Sequence, residues 1–482
     1  MATDLSKQDK HFKDWQAQEA CAERMLPLLG TLYREKNIVT TVYGRSLVQS
    51  TAIDVLKAHR FARLILDGEL SVLDSFPLLE AVCQLDLAPA RIDLGKLTTH
   101  YAKDGAGLTP AEYVRRELAA INTGSAPLLS EPQDIVLYGF GRIGRLLARI
   151  FVEKAGSGEK FRLRAAVVRK GGADDLAKRA SLLRRDSVHG PFNGIITLDE
   201  EQNAIIANGN MIRIIYSDAP ETVDYAQYGI RNAILIDNTG KWRDRAGLSR
   251  HLQAPGIAKV ILTAPGKGDI PNVVAGVNNE LITDEEKVFS AASCTTNAIV
   301  PVLKALNDRF GIASGHIETC HSYTNDQNLI DNYHKAARRG RSAPLNMVIT
   351  ETGAAKAVAK VIPSLAGKLT GNAIRVPTPN VSLAILNLEL GQAVTAADVN
   401  TYLRGLSLES PLSKQIDFTN SPEVVSSDFV GSRHAGVVDS LATIAQGTHC
   451  VLYVWYDNEF GYSCQVVRMV QKMAKLELPA LP

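Results

Sequence analysis

The chain has 482 residues, 45% of them hydrophobic and 22% charged, with 53 Lys and Arg against 51 Asp and Glu for a net charge of +2. That length and apolar content suit a globular chain of about three domains, and the near balance of charge gives no footprint for nucleic acid or another polyanion. No run of about 18 apolar residues suggests a membrane span, Met1 to Lys7 lacks the apolar core of a signal peptide, and Cys21, Cys83, Cys294, Cys320, Cys450 and Cys464 have neither CxxC pairing nor metal-ligand spacing. A reducing, cytoplasmic protein with no structural metal, nucleic-acid partner or membrane partner is expected.

From Phe12 to Asn122 apolar residues recur at helical spacing. Met25, Leu28, Leu29 and Leu32 make one stripe, and Ile53, Leu56, Phe61, Leu64 and Ile65 a second, each expected to face a core. Thr109-Pro110-Ala111-Glu112 joins an N-cap hydroxyl, a proline at the first helical position and a glutamate three residues after the cap, which predicts a helix ending near Asn122. The glycine and prolines of Gly124 to Pro132 then read as a linker. Residues 1–131 are thus a mainly helical N-terminal extension without a recognisable catalytic constellation. Arg60 and Arg63 suit a solvated face, His11, His59 and His100 ordinary structural positions, and an assembly or a regulatory role stays open.

Asp134 to Tyr138 reads as a short apolar strand running into Gly139-Phe140-Gly141-Arg142-Ile143-Gly144, followed by a helical stripe of Leu146, Leu147 and Ile150 and a second strand from Leu163 to Val168. A GxGxxG between strand and helix is the Rossmann fingerprint: the glycines allow a tight turn and close backbone approach, and the helix N-terminus receives a pyrophosphate. NAD-binding versions end the second strand in a carboxylate for the ribose hydroxyls. Here it ends in Arg169 and Lys170, with no carboxylate before Asp174. Two cations there favour the 2′-phosphate of NADP, alone or alongside NAD.

A further apolar run, Val288 to Ala292, leads into Ser293-Cys294-Thr295-Thr296-Asn297, and Ala298 to Phe310 has the spacing of a helix through Ile299, Val302, Leu303 and Leu306. Cys294 is therefore expected at a strand-to-helix junction, where helix N–H groups and the dipole favour a thiolate. A small buried hydrophobe is the alternative role for a cysteine. Val466, Val467, Met469, Val470 and Met473 make the apolar face of a terminal helix.

With these stretches stand Asp186-Ser187-Val188-His189-Gly190, Asn238-Thr239-Gly240, His321-Ser322-Tyr323-Thr324-Asn325-Asp326-Gln327, Thr352-Gly353-Ala354-Ala355-Lys356, Arg375 to Ser382 and Trp455 to Ser463, in that order. From about Gln133 to Lys475 the chain resembles the phosphorylating glyceraldehyde-3-phosphate dehydrogenases. The resemblance implies an α/β fold: a Rossmann NAD(P)-binding domain over residues 132–293, an α+β catalytic domain with a mixed sheet over 294–457, and a C-terminal helix over 458–482 returning to the nucleotide domain. It also implies a homotetramer that oxidises glyceraldehyde 3-phosphate with inorganic phosphate.

By the same resemblance Cys294 is the nucleophile and His321 its activator, both as a cation that holds the thiolate and as a base. Thr324 and Arg375 face the substrate phosphate, while Ser293, Thr295, Arg341, Thr352 and Gly353 surround the attacking phosphate. Arg142 and Ile143 meet the pyrophosphate and nicotinamide, Thr239 and Thr263 the adenosine and nicotinamide surroundings, and Asn458 the carboxamide. Four departures stand out: Lys170 replaces an aspartate, Asn332-Tyr333 replace a Leu-Pro pair, Glu351 precedes Thr352 where a hydroxyl residue is usual, and Phe460 replaces a tryptophan. Erythrose-4-phosphate dehydrogenase is a rival that Thr352 to Ala355 argues against. A redox- or dinucleotide-sensing paralogue acting through the extension is another.

Overall fold

The computed structural model describes residues 5–66, 68–124, 128–156, 158 and 160–482. The chain forms two compact units: Met1–Pro132 with Ala155–Lys160 and Leu476–Pro482, and Gln133–Lys154 with Phe161–Lys475. Of the expected linker, Ser125, Ala126 and Pro127 lie outside the described residues.

The first unit carries helices α1 (Leu5–Lys36), α2 (Ala52–Phe61), α3 (Val72–Cys83), α4 (Leu94–Asp104) and α5 (Pro110–Glu117), with short strands β1 (Val39–Val42), β2 (Arg45–Ser46) and β3 (Arg91–Asp93). The stripe on α1 buries Met25, Leu29 and Leu32, which meet Leu78, Leu79, Val82 and Tyr113 in one core; each such side chain contributes about 1.5–3 kcal/mol of transfer free energy. The second stripe fails in part, because α2 stops at Phe61 and leaves Ile53 37% and Leu64 46% exposed while Val55 and Leu56 turn inward. Thr109 caps α5 through the expected reciprocal bonds with Glu112. His59 is structural, bonded to Val55 O and Ser75 Oγ.

The sheet in this unit has no counterpart in the sequence expectation. Strands of two to four residues show no readable alternation, and their pairing is non-local: β1 runs antiparallel to β2 and parallel to β3. Asp93 fastens the pairing, accepting from Thr41 Oγ1, from the Tyr43 and Gly44 amides, and from Lys96 N–H as the cap of α4.

The second unit opens with β4 (Gln133–Tyr138), α6 (Arg142–Lys154), β5 (Phe161–Val168), α7 (Asp175–Arg184), β6 (Ile196–Asp199), β7 (Ala204–Ala207), β8 (Asn210–Tyr216), β9 (Ala233–Asp237), α8 (Arg245–Ser249), β10 (Ile257–Leu262) and β11 (Val288–Ser290). These strands form one sheet in the order β11-β10-β9-β4-β5-β8-β7-β6. From β11 to β8 every pairing is parallel. β4 and β9 read as near-continuous apolar runs because a parallel sheet is covered on both faces. The chain leaves β4 toward β5 and resumes on the other side at β9, so the order reverses at the β4–β9 pair, where open α/β sheets place their ligand crevice.

The remainder comprises α9 (Cys294–Phe310), β12 (Ile312–Ser322), β13 (Val348–Glu351), α10 (Ala354–Val361), β14 (Leu369–Val376), β15 (Ser382–Leu390), α11 (Ala396–Glu409), β16 (Ile416–Thr419), β17 (Gly436–Asp439), β18 (Ile444–Gln446), β19 (His449–Tyr456) and α12 (Phe460–Met473). Its mixed sheet runs β13-β14-β12-β15-β19-β17-β16. The alternation of β15 and β19 buries Ala384, Leu386, Leu388, Cys450, Leu452 and Val454 against Ile299, Val302, Leu303 and Leu306 of α9. After α12, packed on α6, the terminal residues depart from the expected helix. They form β20 (Ala480–Leu481), a parallel partner of β3 in the first unit's sheet.

Deleting Leu476–Pro482 therefore exposes one edge of β3. We expect faster limited proteolysis within residues 1–131 than in the full chain; an unchanged cleavage rate would show that β20 contributes nothing to that unit.

Candidate active site

Helix α9 begins at Cys294, four residues earlier than the apolar spacing indicated, because Ser293 caps it: its Oγ accepts the Thr296 N–H at 3.0 Å. Ala292 holds φ at +55°, a left-handed conformation that costs a non-glycine residue about 1–3 kcal/mol. The turn is clamped by Tyr462 Oη–H donating to Ala292 O at 3.0 Å and by Asn297 Nδ2 donating to Ala291 O and Ser293 O at 2.8 and 2.9 Å. The strained turn places Cys294 Sγ 3.4 Å from His321 Nε2.

His321 comes from the end of β12, and the parallel register of β12 with β14 sets Arg375 beside it. His321 Nδ1 lies 2.7 Å from Ser322 O, and Arg375 Nη1 reaches Ser322 O at 3.1 Å, Thr324 Oγ1 at 3.3 Å and the imidazole Nδ1 edge at 3.0 Å. In the tautomer that carries its proton on Nδ1, directed at the Ser322 carbonyl, Arg375 touches Nδ1 without donating to it and the Nε2 lone pair faces the thiol. Burial first, then the Arg375 charge, push the imidazole down to about 4, against the pull of the Ser322 carbonyl. Burial raises the Cys294 thiol, opposed by Arg375 and the Thr295 backbone. Burial and Arg375 thus disfavour a charged imidazole, where the sequence reading expected a cationic partner, and Nε2 is placed to exchange a proton with the thiol.

Around this pair the anticipated anion ligands divide. Arg375 Nε is buried without a partner among the described residues, and Thr324 hydrogen-bonds Asp326, itself ion-paired with Arg339. Arg341 is misplaced by the sequence reading: its side chain is 66% exposed and its Nε pairs with Asp331 at 2.8 Å. Arg339, whose charge reaches His321, takes the position near the site. The hydroxyls of Ser293 and Thr295 are already engaged, the first as helix cap and the second with Tyr456 Oη at 3.0 Å. Thr352 and Gly353 lie at the start of α10, Thr352 Oγ1 accepting the Ala354 N–H. On the β13–β14 ladder Arg375 pairs with Val348 and Glu351 with Asn372, so Thr352 follows the end remote from Arg375.

The dinucleotide crevice opens where β4 and β9 diverge. Gly139 has φ of +100°, and a Cβ on Gly144 would meet Gly139 O at 2.4 Å, whereas nothing lies within 4 Å of one on Gly141. The first and third glycines thus close the turn and the second leaves room for a phosphate to approach backbone. Ile143 is half-buried on the first turn of α6. Arg142, beside it, turns its guanidinium to Asp186 at 2.9 and 3.1 Å and to Glu459, leaving main-chain N–H groups as the anion donors. Thr239 donates to Asp237 Oδ1 at 2.6 Å and Thr263 to Asp237 O at 3.1 Å. Arg169 and Lys170 are exposed after β5, Lys170 Nζ standing 5.4 Å over the Tyr216 ring. The nearby Asp175 is occupied by Arg179 and the Gly171 amide. Asn458 is buried, its Oδ1 accepting from Ser382 Oγ at 2.9 Å. This donor set fits a dinucleotide.

Several supporting residues escaped the sequence reading. Asp457 accepts the Glu459 and Phe460 amides, Gly431 N–H and His189 Nε2, which starts α12 and fixes Asn458. Tyr456 joins Thr295 to Thr319. Their signal was only membership of quoted motifs, because their partners are remote in sequence. Among the described residues no cluster of three His, Cys, Asp or Glu could hold a metal, and no helix is long and apolar enough to cross a membrane.

A reversal crevice that fits a dinucleotide, joined in one unit to a thiol–imidazole pair, defines a nicotinamide-dependent oxidoreductase. Residues 133–245 match the glyceraldehyde 3-phosphate dehydrogenase NAD binding domain and residues 293–458 its C-terminal domain. A glyceraldehyde-3-phosphate dehydrogenase-like protein of Pseudomonas aeruginosa is 61% identical over 95% of this chain and all of its own length. Glyceraldehyde-3-phosphate dehydrogenase 1 of Bacillus subtilis is 40% identical over 70% of the chain and 97% of its own length. The chloroplastic GAPA1 enzyme of Arabidopsis thaliana is 42% identical over 70% of the chain and 83% of its own length. The chain belongs to the glyceraldehyde-3-phosphate dehydrogenase family.

The depressed imidazole has a thermodynamic consequence. Its folded pKa of about 4 lies below the unfolded value near 6.5, so the unfolded state binds the extra proton first and stability falls as pH drops from about 6.5 toward 4. His321→Gln should flatten this part of the stability-versus-pH curve in urea titrations. Identical slopes for both proteins would refute the assignment.

Proposed function

We propose that the chain is a phosphorylating glyceraldehyde-3-phosphate dehydrogenase that converts glyceraldehyde 3-phosphate and inorganic phosphate to 1,3-bisphosphoglycerate, reversibly, with NADP or with both NADP and NAD. The carrying observation is Cys294 Sγ at 3.4 Å from His321 Nε2, with Arg375 Nε, unpartnered among the described residues, beside them. As Sγ adds to the aldehyde carbon, its proton passes to Nε2 and on to the carbonyl oxygen, giving a neutral thiohemiacetal. His321 then removes the hydroxyl proton as the C–H bond breaks, leaving a thioester on Cys294. The nicotinamide, when bound, accepts the hydride. Phosphate oxygen attacks the thioester carbon and the Cys294 thiolate leaves, to be reprotonated from His321. Arg375 and Thr324 hold the substrate phosphate, with Arg339 close by.

Two cations after β5 in place of a carboxylate support 2′-phosphate recognition by Arg169 and Lys170. Leu329, Ile330, Leu345 and Met347, each more than 70% exposed, support burial against further copies, as in the tetramer that the resemblance implies. Cytoplasmic use is part of the same reading.

Turnover is measured with glyceraldehyde 3-phosphate, phosphate and each dinucleotide. Cys294→Ser should lower kcat at least about 1,000-fold while dinucleotide Kd stays within twofold; retained turnover would remove Cys294 as nucleophile, and a wild-type protein that binds dinucleotide without turnover would favour the sensing paralogue. Separately, Lys170→Asp should move the NADP to NAD ratio of kcat/KM toward NAD by about tenfold, the worth of ~1.4 kcal/mol. An unmoved ratio would remove the charge argument.

A further inference from the structure

Asn458 offers a dinucleotide an amide group, and an amide can point either its oxygen or its nitrogen at a ligand. In this protein one hydroxyl decides. Ser382, the first residue of β15, is 1% exposed, and its Oγ accepts the Ser322 N–H at 3.1 Å. It donates to Asn458 Oδ1, 2.9 Å away, and also faces the Tyr456 hydroxyl. With the oxygen engaged, both hydrogens of Asn458 Nδ2 remain as donors, and among the described residues they donate to none.

The hydroxyl's place is itself enforced. Val381, immediately before it, holds φ at +66°, a left-handed conformation that is a genuine outlier for a β-branched residue. Ser322 Oγ–H holds Val381 in that state through its carbonyl at 2.9 Å. The antiparallel register places Ser382 opposite Tyr456, and the turn after Tyr456 is fixed by Asp457 accepting the Glu459 and Phe460 amides. Ser322 carries a second link, since its carbonyl is the partner of His321 Nδ1 at 2.7 Å. One side chain thus ties the main chain next to the catalytic imidazole to the orientation of the Asn458 amide.

We propose that Ser382 is a positioning residue that sets Asn458 as a donor toward the carboxamide oxygen of a bound nicotinamide, in register with His321. Removing the hydroxyl leaves Oδ1 without its donor and frees the amide to turn over, presenting an acceptor where the ligand needs a donor. A dinucleotide then loses a hydrogen bond, and a ligand without the nicotinamide loses nothing. The inference rests on the dehydrogenase reading for the ligand's identity, but its test does not require turnover.

The experiment compares Kd for NADP with Kd for 2′-phospho-ADP-ribose, which lacks the nicotinamide, in the full-length protein. For Ser382→Ala we expect NADP binding to weaken about fivefold, the worth of one neutral hydrogen bond, and 2′-phospho-ADP-ribose binding to stay unchanged. Ser382→Thr, which keeps the hydroxyl, should restore the wild-type ratio, and Ser382→Cys, a weaker donor, should fall between and serves if the alanine variant does not fold. In an Asn458→Ala background Ser382→Ala should add no further loss for NADP. Equal weakening of both ligands would mark Ser382 as merely structural and overturn the proposal, as would no weakening of either. A wild-type protein that binds both ligands equally well would overturn it too. Wild-type binding that favours NADP without oxidation of glyceraldehyde 3-phosphate would instead sink the dehydrogenase reading and leave the Ser382 assignment standing.

Discussion

The buried approach of a thiol to an imidazole, Cys294 Sγ to His321 Nε2 at 3.4 Å, governs the rest of the second unit. Burial opposes charge on both groups, so neither gains by ionising alone, and proton exchange between them runs along one line. Holding that line requires a fixed helix start and a fixed strand end. Ser293, Asn297 and Tyr462 fix the first through the strained turn at Ala292, and the eight-pair register of β12 with β14 fixes the second. Arg375 arrives with that register, lowers both pKa values and keeps one donor unspent.

A second polar assembly joins the nucleotide-binding and catalytic parts of this unit. Arg142, at the first turn of α6, is ion-paired with Asp186 and with Glu459 at the start of α12, and His189 bonds Asp457. Although burial opposes ionisation of Asp186, the His189 and Val188 amides and Arg142 hold its carboxyl at about 2, so it stays charged through the ordinary pH range. Breaking one partner would strand a buried charge, a far larger penalty than the net worth of the pair. The fingerprint helix and the Asn458 turn are therefore tied together by ion pairs.

The first unit is stabilised differently. It has its own apolar core beneath five helices, and its sheet takes one strand from each end of the sequence: β1 from near residue 40 and β20 from residues 480 and 481. Such pairings close long loops, and only cooperative burial with the helices makes them stable. The Pseudomonas aeruginosa relative spans this unit as well, so the extension is shared there rather than peculiar to this chain.

The sequence by itself determined what is local or carried by an ordered set of motifs. Strand β4 with its glycines, the capped start of α5, the apolar faces of α1, α9 and α12, and the choice of Cys294 and His321 as residues that meet were all legible, since each rests on spacing within about fifteen residues or on a run of matching residue types. Tertiary structure decided what depends on register and burial. It moved the start of α9 to Cys294 and gave the hydroxyls of Ser293 and Thr295 structural partners of their own. It exchanged Arg341 for Arg339, because both sit in one basic run and only folding of residues 324–342 shows which meets Asp326. It set burial and the Arg375 charge against a cationic His321, since desolvation is a property of the assembled site and not of a motif. Strands too short to show a period, as in β2 and β20, became visible only when distant partners met them.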